Sequence, residues 1–213
     1  METRLQAAMK TLPTLAALSL VLFAACAAPP PQSVAPAAPA APPAAAAPAE
    51  HKAITTEKLE PYQCGSIQRL NTFAGIFLAS QPAADDLRQA KTGGVRTVIN
   101  LRHPDELKEF NEPALVQGEL GLAYVSLPWN GPDELTDAVF DRARELLNTA
   151  ERPILLHCHS SNRVGAVWIP WRVLDGGLGL EEAVAEAKVI GMKTPGYEQK
   201  AREYVERRGA KAR

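Results

Sequence analysis

The sequence predicts an α/β layered sandwich with a mainly parallel central sheet flanked by helices, and three observations carry that expectation. Short runs rich in apolar and β-branched residues, at 75–79, 95–101, 122–127 and 154–157, alternate with stretches of helical period. That order builds parallel sheets through helical crossovers. The run Ile154-Leu155-Leu156 has no polar break, as suits a strand covered on both faces. Gly, Pro, Asn or Asp punctuates the junctions between the two kinds of segment.

Three regions precede any finer reading. Residues 1–26 read as an export segment, with Arg4 and Lys10 in the charged start, an apolar core over 12–25 and small residues at its end. That core is shorter than the ~20 apolar residues a membrane-spanning helix needs. Phe23-Ala24-Ala25-Cys26 resembles a bacterial lipoprotein processing box, so Cys26 is the expected lipidation site and its lipid the expected contact with a membrane. Ala27, in place of an acidic residue, points to the outer membrane, facing the periplasm. Cleavage beside the alanines, giving a soluble periplasmic or secreted protein, is the alternative. Residues 27–55 are dominated by Pro and Ala, which denies the alanines a continuous helix and leaves nothing large to bury, so a disordered, extended tether is expected. Residues 56–213 suit one domain of ordinary size. A formal net charge of −1 with no long block of Lys or Arg argues against a general nucleic-acid binder.

Within the domain, residues 61–70 lack a regular period and are expected to be irregular. Residues 75–79 read as a strand ended by Gln81-Pro82. A helix follows over 83–91, where Asp85 and Asp86 suit the positive end of the helix dipole and Gly93-Gly94 stops it. The central strand 95–101 delivers Arg102, His103, Pro104 and Asp105 into a loop. Asn111 as cap and Pro113 in the first turn start a helix that Gly121 ends. After the strand 122–127, two prolines and a glycine make 128–133 a loop. Thr136 caps a helix whose inner face is Val139, Phe140, Ala143, Leu146 and Leu147. Val164, Val167, Trp168, Trp171 and Leu174 fall at helical spacing and read as core, although Pro170 among them implies a kink or a cost of about 3 kcal/mol. Residues 180–190 and 196–208 supply two further helices.

Function is expected at His157-Cys158-His159-Ser160-Ser161-Asn162-Arg163, which joins the strand 154–157 to the helix after it. Cysteine is a nucleophile only as thiolate, and a helix N-terminus with a nearby cation favours that form. The unpaired N–H groups that open a helix cradle an oxyanion, and Arg163 adds a planar fork for two of its oxygens. Adjacent side chains on an extended chain point apart, so His157, Cys158 and His159 make no convincing metal site. Cys64 is left unpaired unless it bonds Cys158.

This segment resembles the signature loop of the cysteine-based protein tyrosine and dual-specificity phosphatase superfamily, in which His-Cys opens the loop and Arg closes it. The resemblance extends through Leu78-Ala79-Ser80-Gln81-Pro82, Gly94-Val95-Arg96-Thr97-Val98-Ile99-Asn100-Leu101-Arg102 and Tyr124-Val125-Ser126-Leu127-Pro128. It covers roughly residues 60–208 and looks most like small bacterial dual-specificity-like phosphatases related to the phosphatase-like domain of beta-lactamase-hydrolase-type proteins.

The resemblance implies a phosphatase-like fold and a phosphate-monoester hydrolase that needs no metal or cofactor and acts on a phosphorylated substrate. Cys158 would form a phosphocysteine, with Arg163 and the loop residues His159, Ser160, Ser161 and Asn162 holding the phosphate. Asp133 is the expected general acid, with Asp105 its rival, and His157 would orient the loop. Four residues separate Cys158 from Arg163 where the family commonly has five, a spacing also found in rhodanese-type sulfurtransferases. Ser161 stands where glycine is common, and Val164 where Ser or Thr often assists the leaving thiolate. A sulfurtransferase carrying persulfide on Cys158, or a catalytically weak phosphate-binding module, are the alternatives.

Overall fold

The structure, a computed structural model, describes residues 56–211. The expected export segment, the lipidation site Cys26 and the Pro/Ala-rich tether lie outside the described residues.

Strands β1 (Glu60–Pro61), β2 (Leu70–Phe73), β3 (Ile76–Ala79), β4 (Thr97–Asn100), β5 (Ala123–Ser126) and β6 (Ile154–His157) form one sheet in the order β1-β2-β3-β6-β4-β5. β3, β6, β4 and β5 run parallel, while β1 and β2 add an antiparallel margin. Every residue of β3, β4 and β6 is buried, as expected of strands covered on both faces.

Side chains alternate across the sheet and split the core in two. On one face Ile76, Leu78, Ile99, Leu101, Ile154, Leu156 and Cys158 pack under α3 (Asp137–Thr149), α4 (Asn162–Leu174), α5 (Leu180–Ile190) and α6 (Pro195–Lys211). On the other, Phe77, Ala79, Val98 and Leu155 meet Leu87 and Ala90 of α1 (Ala84–Thr92), and Leu115 and Val116 of a π-helical turn (Ala114–Glu119). The two free cysteines among the described residues divide accordingly. Cys158 belongs to the first core, and Cys64 packs against the second.

α4 is the central helix, buried continuously from Arg163 to Trp171, so its apolar residues surround it rather than forming one stripe. A Cβ on Gly165 would lie 2.7 Å from the Ala187 carbonyl oxygen and 2.8 Å from Met192 Cβ, so this glycine allows α4 and α5 to meet backbone to backbone. The helix continues through Pro170, whose missing N–H is tolerated in this buried setting.

Residues 61–70 are irregular as expected between Pro61, which closes β1, and Leu70, which opens β2. Two local expectations are corrected. The segment 128–133 does not stay a loop: α2 (Gly131–Glu134) forms a single turn, started by Gly131 at φ +81° and by Pro132 in a position where a missing N–H costs nothing. The helix expected after Asn111 is wound mainly as the π turn, with the Asn111 side chain accepting the Ala114 N–H at 3.2 Å.

Candidate active site

The register sets the last residues of four parallel strands level: Ala79 beside His157, His157 beside Asn100, and Asn100 beside Ser126. The segments that follow therefore leave from one edge of the sheet, where ligands collect in open α/β folds. Cys158 leaves β6 there, 1% exposed, with its N–H directed to the Ala79 carbonyl at 3.4 Å.

The loop then turns sharply into α4. Its outer side is fixed by Gln81, whose N–H donates to the His159 carbonyl at 3.1 Å, and by a bridge between Ser80 and Ser160. Ser161 makes the turn at φ +65°, the left-handed region, with its side chain fully buried and its hydroxyl unpartnered. This is the strain that a non-glycine residue carries at such a turn, of about 1 kcal/mol or more. The reward is geometric. Among the described residues, the backbone N–H groups from His159 to Arg163 make no hydrogen bond to the protein, and they sit at the start of α4, where its dipole favours an anion.

Arg163 is buried and braced from three sides. Its Nη1 donates to the Leu101 carbonyl at 3.0 Å, to the Trp129 carbonyl at 2.9 Å and to Glu106 Oε1 at 2.7 Å, while Nη2 donates to Glu106 Oε2 at 2.5 Å. These bonds leave the Nε–H and one N–H of Nη2, the side of the fork that can take two oxygens at once. Cys158 is close enough to this guanidinium to favour its charge. Burial works against the charge of Arg163, but Glu106 and Cys158 outweigh it, and its pKa is raised. The Arg163 hydrogen bond holds Glu106 down to about 2, so the pair is charged at any ordinary pH.

Behind the loop is a buried polar network. Glu112, 1% exposed, faces His157 Nε2 at 2.9 Å and accepts from Asn100 Nδ2 at 2.7 Å and Gln81 Nε2 at 2.8 Å. Burial pushes against ionisation of Glu112, yet His157 and the hydrogen bonds from its neighbours keep its pKa below the usual carboxylate range. Gln81 also accepts from Arg102 at 2.6 Å, and Asn100 Oδ1 accepts the Arg102 N–H at 2.7 Å. The residues on either side of Cys158 are thus tied to one set of side chains, through the ring of His157 and the carbonyl of His159. The His157 ring is held by Glu112, and its Nδ1 has no partner.

Asp133 and Asp105 are both exposed, and each sits in a segment that touches Arg163. Asp133 lies in α2, four residues after Trp129, whose carbonyl Arg163 holds and whose buried ring meets Tyr197 edge-on at 4.9 Å. Asp105 precedes Glu106 in a short 3-10 turn (Pro104–Glu106). A hydrogen bond of 2.7 Å between His103 Nε2 and Glu134 Oε2 links the two segments. His159 is exposed and Ser160 half-buried, whereas the Asn162 side chain turns to the far end of α5, accepting from the Lys193 N–H at 2.8 Å and donating to Thr194 Oγ1 at 2.8 Å. Glu106, Glu112, Gln81 and Asn100 escaped the sequence reading, since carboxylates and amides on irregular segments or inside a strand carry no spacing that marks them.

Residues 70–172 match the family model of the beta-lactamase hydrolase-like protein, phosphatase-like domain. The beta-lactamase hydrolase-like protein of Xylella fastidiosa is 29% identical over 115 residues, covering 52% of this chain and 26% of that protein. The chain therefore spans about a quarter of the length of the curated relatives it matches. Among solved structures, P. aeruginosa TpbA superposes with a TM-score of 0.55 at 23% identity, covering 73% of this chain and 96% of that one. PTPMT1 does so with a TM-score of 0.53 at 17% identity, covering 64% and 93%. At such identities the likeness is one of fold. The matched stretch runs from the start of β2 into the last turn of α4 and contains the whole site, so the part of this chain that carries the site is similar to the phosphatase-like domain of beta-lactamase hydrolase-like proteins.

Proposed function

We propose that this protein hydrolyses phosphate monoesters through a phosphocysteine on Cys158. The observation that supports this most is the row of free N–H groups from His159 to Arg163, which opens beside the Cys158 thiol and the unused edge of the Arg163 fork. Three equatorial phosphoryl oxygens match such a cradle, and donors fixed before the reaction stabilise the charge of the transition state.

In the first step the Cys158 thiolate attacks phosphorus as the bond to the leaving oxygen breaks, and a carboxylic acid protonates that oxygen. Asp133 is assigned this role, because its segment is anchored on Arg163 through Trp129. In the second step water attacks phosphorus, the S–P bond breaks, the Asp133 carboxylate takes the water proton, and the thiolate is restored. Arg163 and the loop N–H groups serve both steps. Glu106 holds the Arg163 fork in place, and the Glu112–His157 contact fixes the strand end that presents Cys158.

A TpbA variant, 22% identical to this chain, was solved in complex with pTyr, which supports a phosphorylated substrate here as well. The lipoprotein-like sequence at Cys26 supports a place on the periplasmic side of the outer membrane. The deciding experiment assays the reduced protein against aryl phosphates and, side by side, against thiosulfate with a cyanide acceptor. Phosphate release without added metal, inhibition by vanadate and its loss in Cys158→Ser are expected. Sulfur transfer without phosphate release would overturn the proposal, and neither activity would leave a phosphate-binding module.

A further inference from the structure

Among the described residues, Arg69 is the one arginine whose guanidinium has no carboxylate or carbonyl partner. The other eleven are engaged, from Arg88 on Asp85 to Arg208 on Asp141. Its position is as unusual as its freedom. The Arg69 N–H donates to Ser80 Oγ at 3.1 Å, the Arg69 carbonyl accepts from the Ser80 N–H at 2.8 Å, and Ser80 bridges Ser160 in the catalytic loop. The Arg69 stem also lies over Gly191: a Cβ built there would be 3.4 Å from Arg69 Cδ, 3.2 Å from the Ser160 carbonyl oxygen and 3.1 Å from Ser161 Cβ. Arg69 and the loop thus meet at one glycine.

Two residues further on stands Lys193, exposed, its ammonium without an ion pair among the described residues. Its backbone N–H is fixed at 2.8 Å to Asn162 Oδ1, so the lysine is placed beside the last residue of the loop before Arg163. The exposed ring of His159, also without a partner among the described residues, occupies the loop itself. Like charges left unpaired next to an anion cradle repel one another, and a bound anion relieves the repulsion. One phosphoryl group is already served by Arg163 and the loop N–H groups. Arg69 and Lys193 are surplus to it.

We propose that Arg69 and Lys193 form a second anion subsite on the rim of the Cys158 loop, and that the substrate carries a second phosphate or carboxylate close to the scissile phosphate. For the identity of that scissile group the proposal rests on the phosphatase reading above. The shared chemistry is the second anion, whether it belongs to a small bisphosphate or to an acidic residue beside a phosphorylated side chain.

The test compares probes that differ by one anion. Glucose 6-phosphate is set against glucose 1,6-bisphosphate, and a phosphotyrosine peptide with neutral flanks against the same peptide with flanking glutamates. Affinity is measured by calorimetry on the full chain bearing Cys158→Ser, and turnover on the wild type. In at least one arm the second anion should raise affinity about fivefold or more, as a charge-assisted hydrogen bond warrants, and the arm that responds identifies its source. The doubly substituted Arg69→Ala/Lys193→Ala chain should lose that preference, Arg69→Lys should keep part of it, and added salt should erode it. Equal affinity for both members of each pair overturns the subsite while leaving phosphate release to stand on its own. A preference that survives the double substitution also overturns it. A preference that the double substitution removes, in a wild type that releases no phosphate, keeps the subsite and sinks the phosphatase reading.

Discussion

Ser161 combines a left-handed backbone at φ +65° with a buried hydroxyl that bonds nothing. Ser161→Gly removes both costs against a loss of about 0.5–1 kcal/mol in backbone entropy, so a net gain of about 1 kcal/mol is expected. In thermal denaturation this should read as a rise of about 2–4 °C. Glu106 gives the opposite case. Its folded pKa, held at about 2 by Arg163, lies below that of an unfolded glutamate, near 4.3. The stability it adds is therefore complete above about pH 4.3 and is lost as the pH falls towards 2. Glu106→Gln should remove stability on the order of 1 kcal/mol at pH 7, allowing for solvent screening, with the deficit closing below pH 4 in acid denaturation. The same variant should lower kcat, because the Arg163 fork loses its brace. The acid is tested by leaving groups. Asp133→Asn should slow a poor leaving group about 100-fold and a nitrophenolate far less, since only the former needs its proton. If Asp105→Asn shows that pattern instead, the roles of the two aspartates are exchanged.

At the scale of elements, the sequence made plain what repeats. β3, β4, β5 and β6 lie where β-branched and apolar runs placed them, and 180–190 coincides with α5 (Leu180–Ile190), because apolar period and glycine stops agree there. β2 escaped because Leu70–Phe73 is short and buries Asn71 and Thr72, and its strand character comes from pairing with β3. The turn Ala114–Glu119 looked α-helical because a π turn differs by one residue in its hydrogen-bond step, which no side-chain pattern announces. In the site, Cys158 and Arg163 were legible as a spaced pair, whereas Glu106 reaches Arg163 from 57 residues away and Glu112 reaches His157 from 45. Such partners are visible only once the chain has folded. The contact of α4 with α5 gives a test of packing: Gly165→Ala sets a methyl group against the Ala187 carbonyl and Met192. It should destabilise the domain by about 1–3 kcal/mol, measured by urea unfolding, with the slope of the transition unchanged.

For the whole molecule, the proposed location rests on the sequence of the first residues. If Cys26 carries the lipid, Cys26→Ser should move the protein from the membrane to the soluble fraction and abolish labelling by a palmitate analogue. Labelling that persists defeats the assignment. The two cores of the sheet have a chemical consequence of their own. Cys158 lies in one and Cys64 packs against the other, so no neighbouring thiol among the described residues can condense with the Cys158 sulfur once peroxide has made it a sulfenic acid. With no resolving cysteine among the described residues, recovery depends on reductant supplied from outside, and further peroxide carries the sulfur to the irreversible sulfinic state. Brief peroxide treatment should therefore abolish turnover in a way that dithiothreitol restores and simple dilution does not, with Cys64→Ser recovering at the same rate as the wild type.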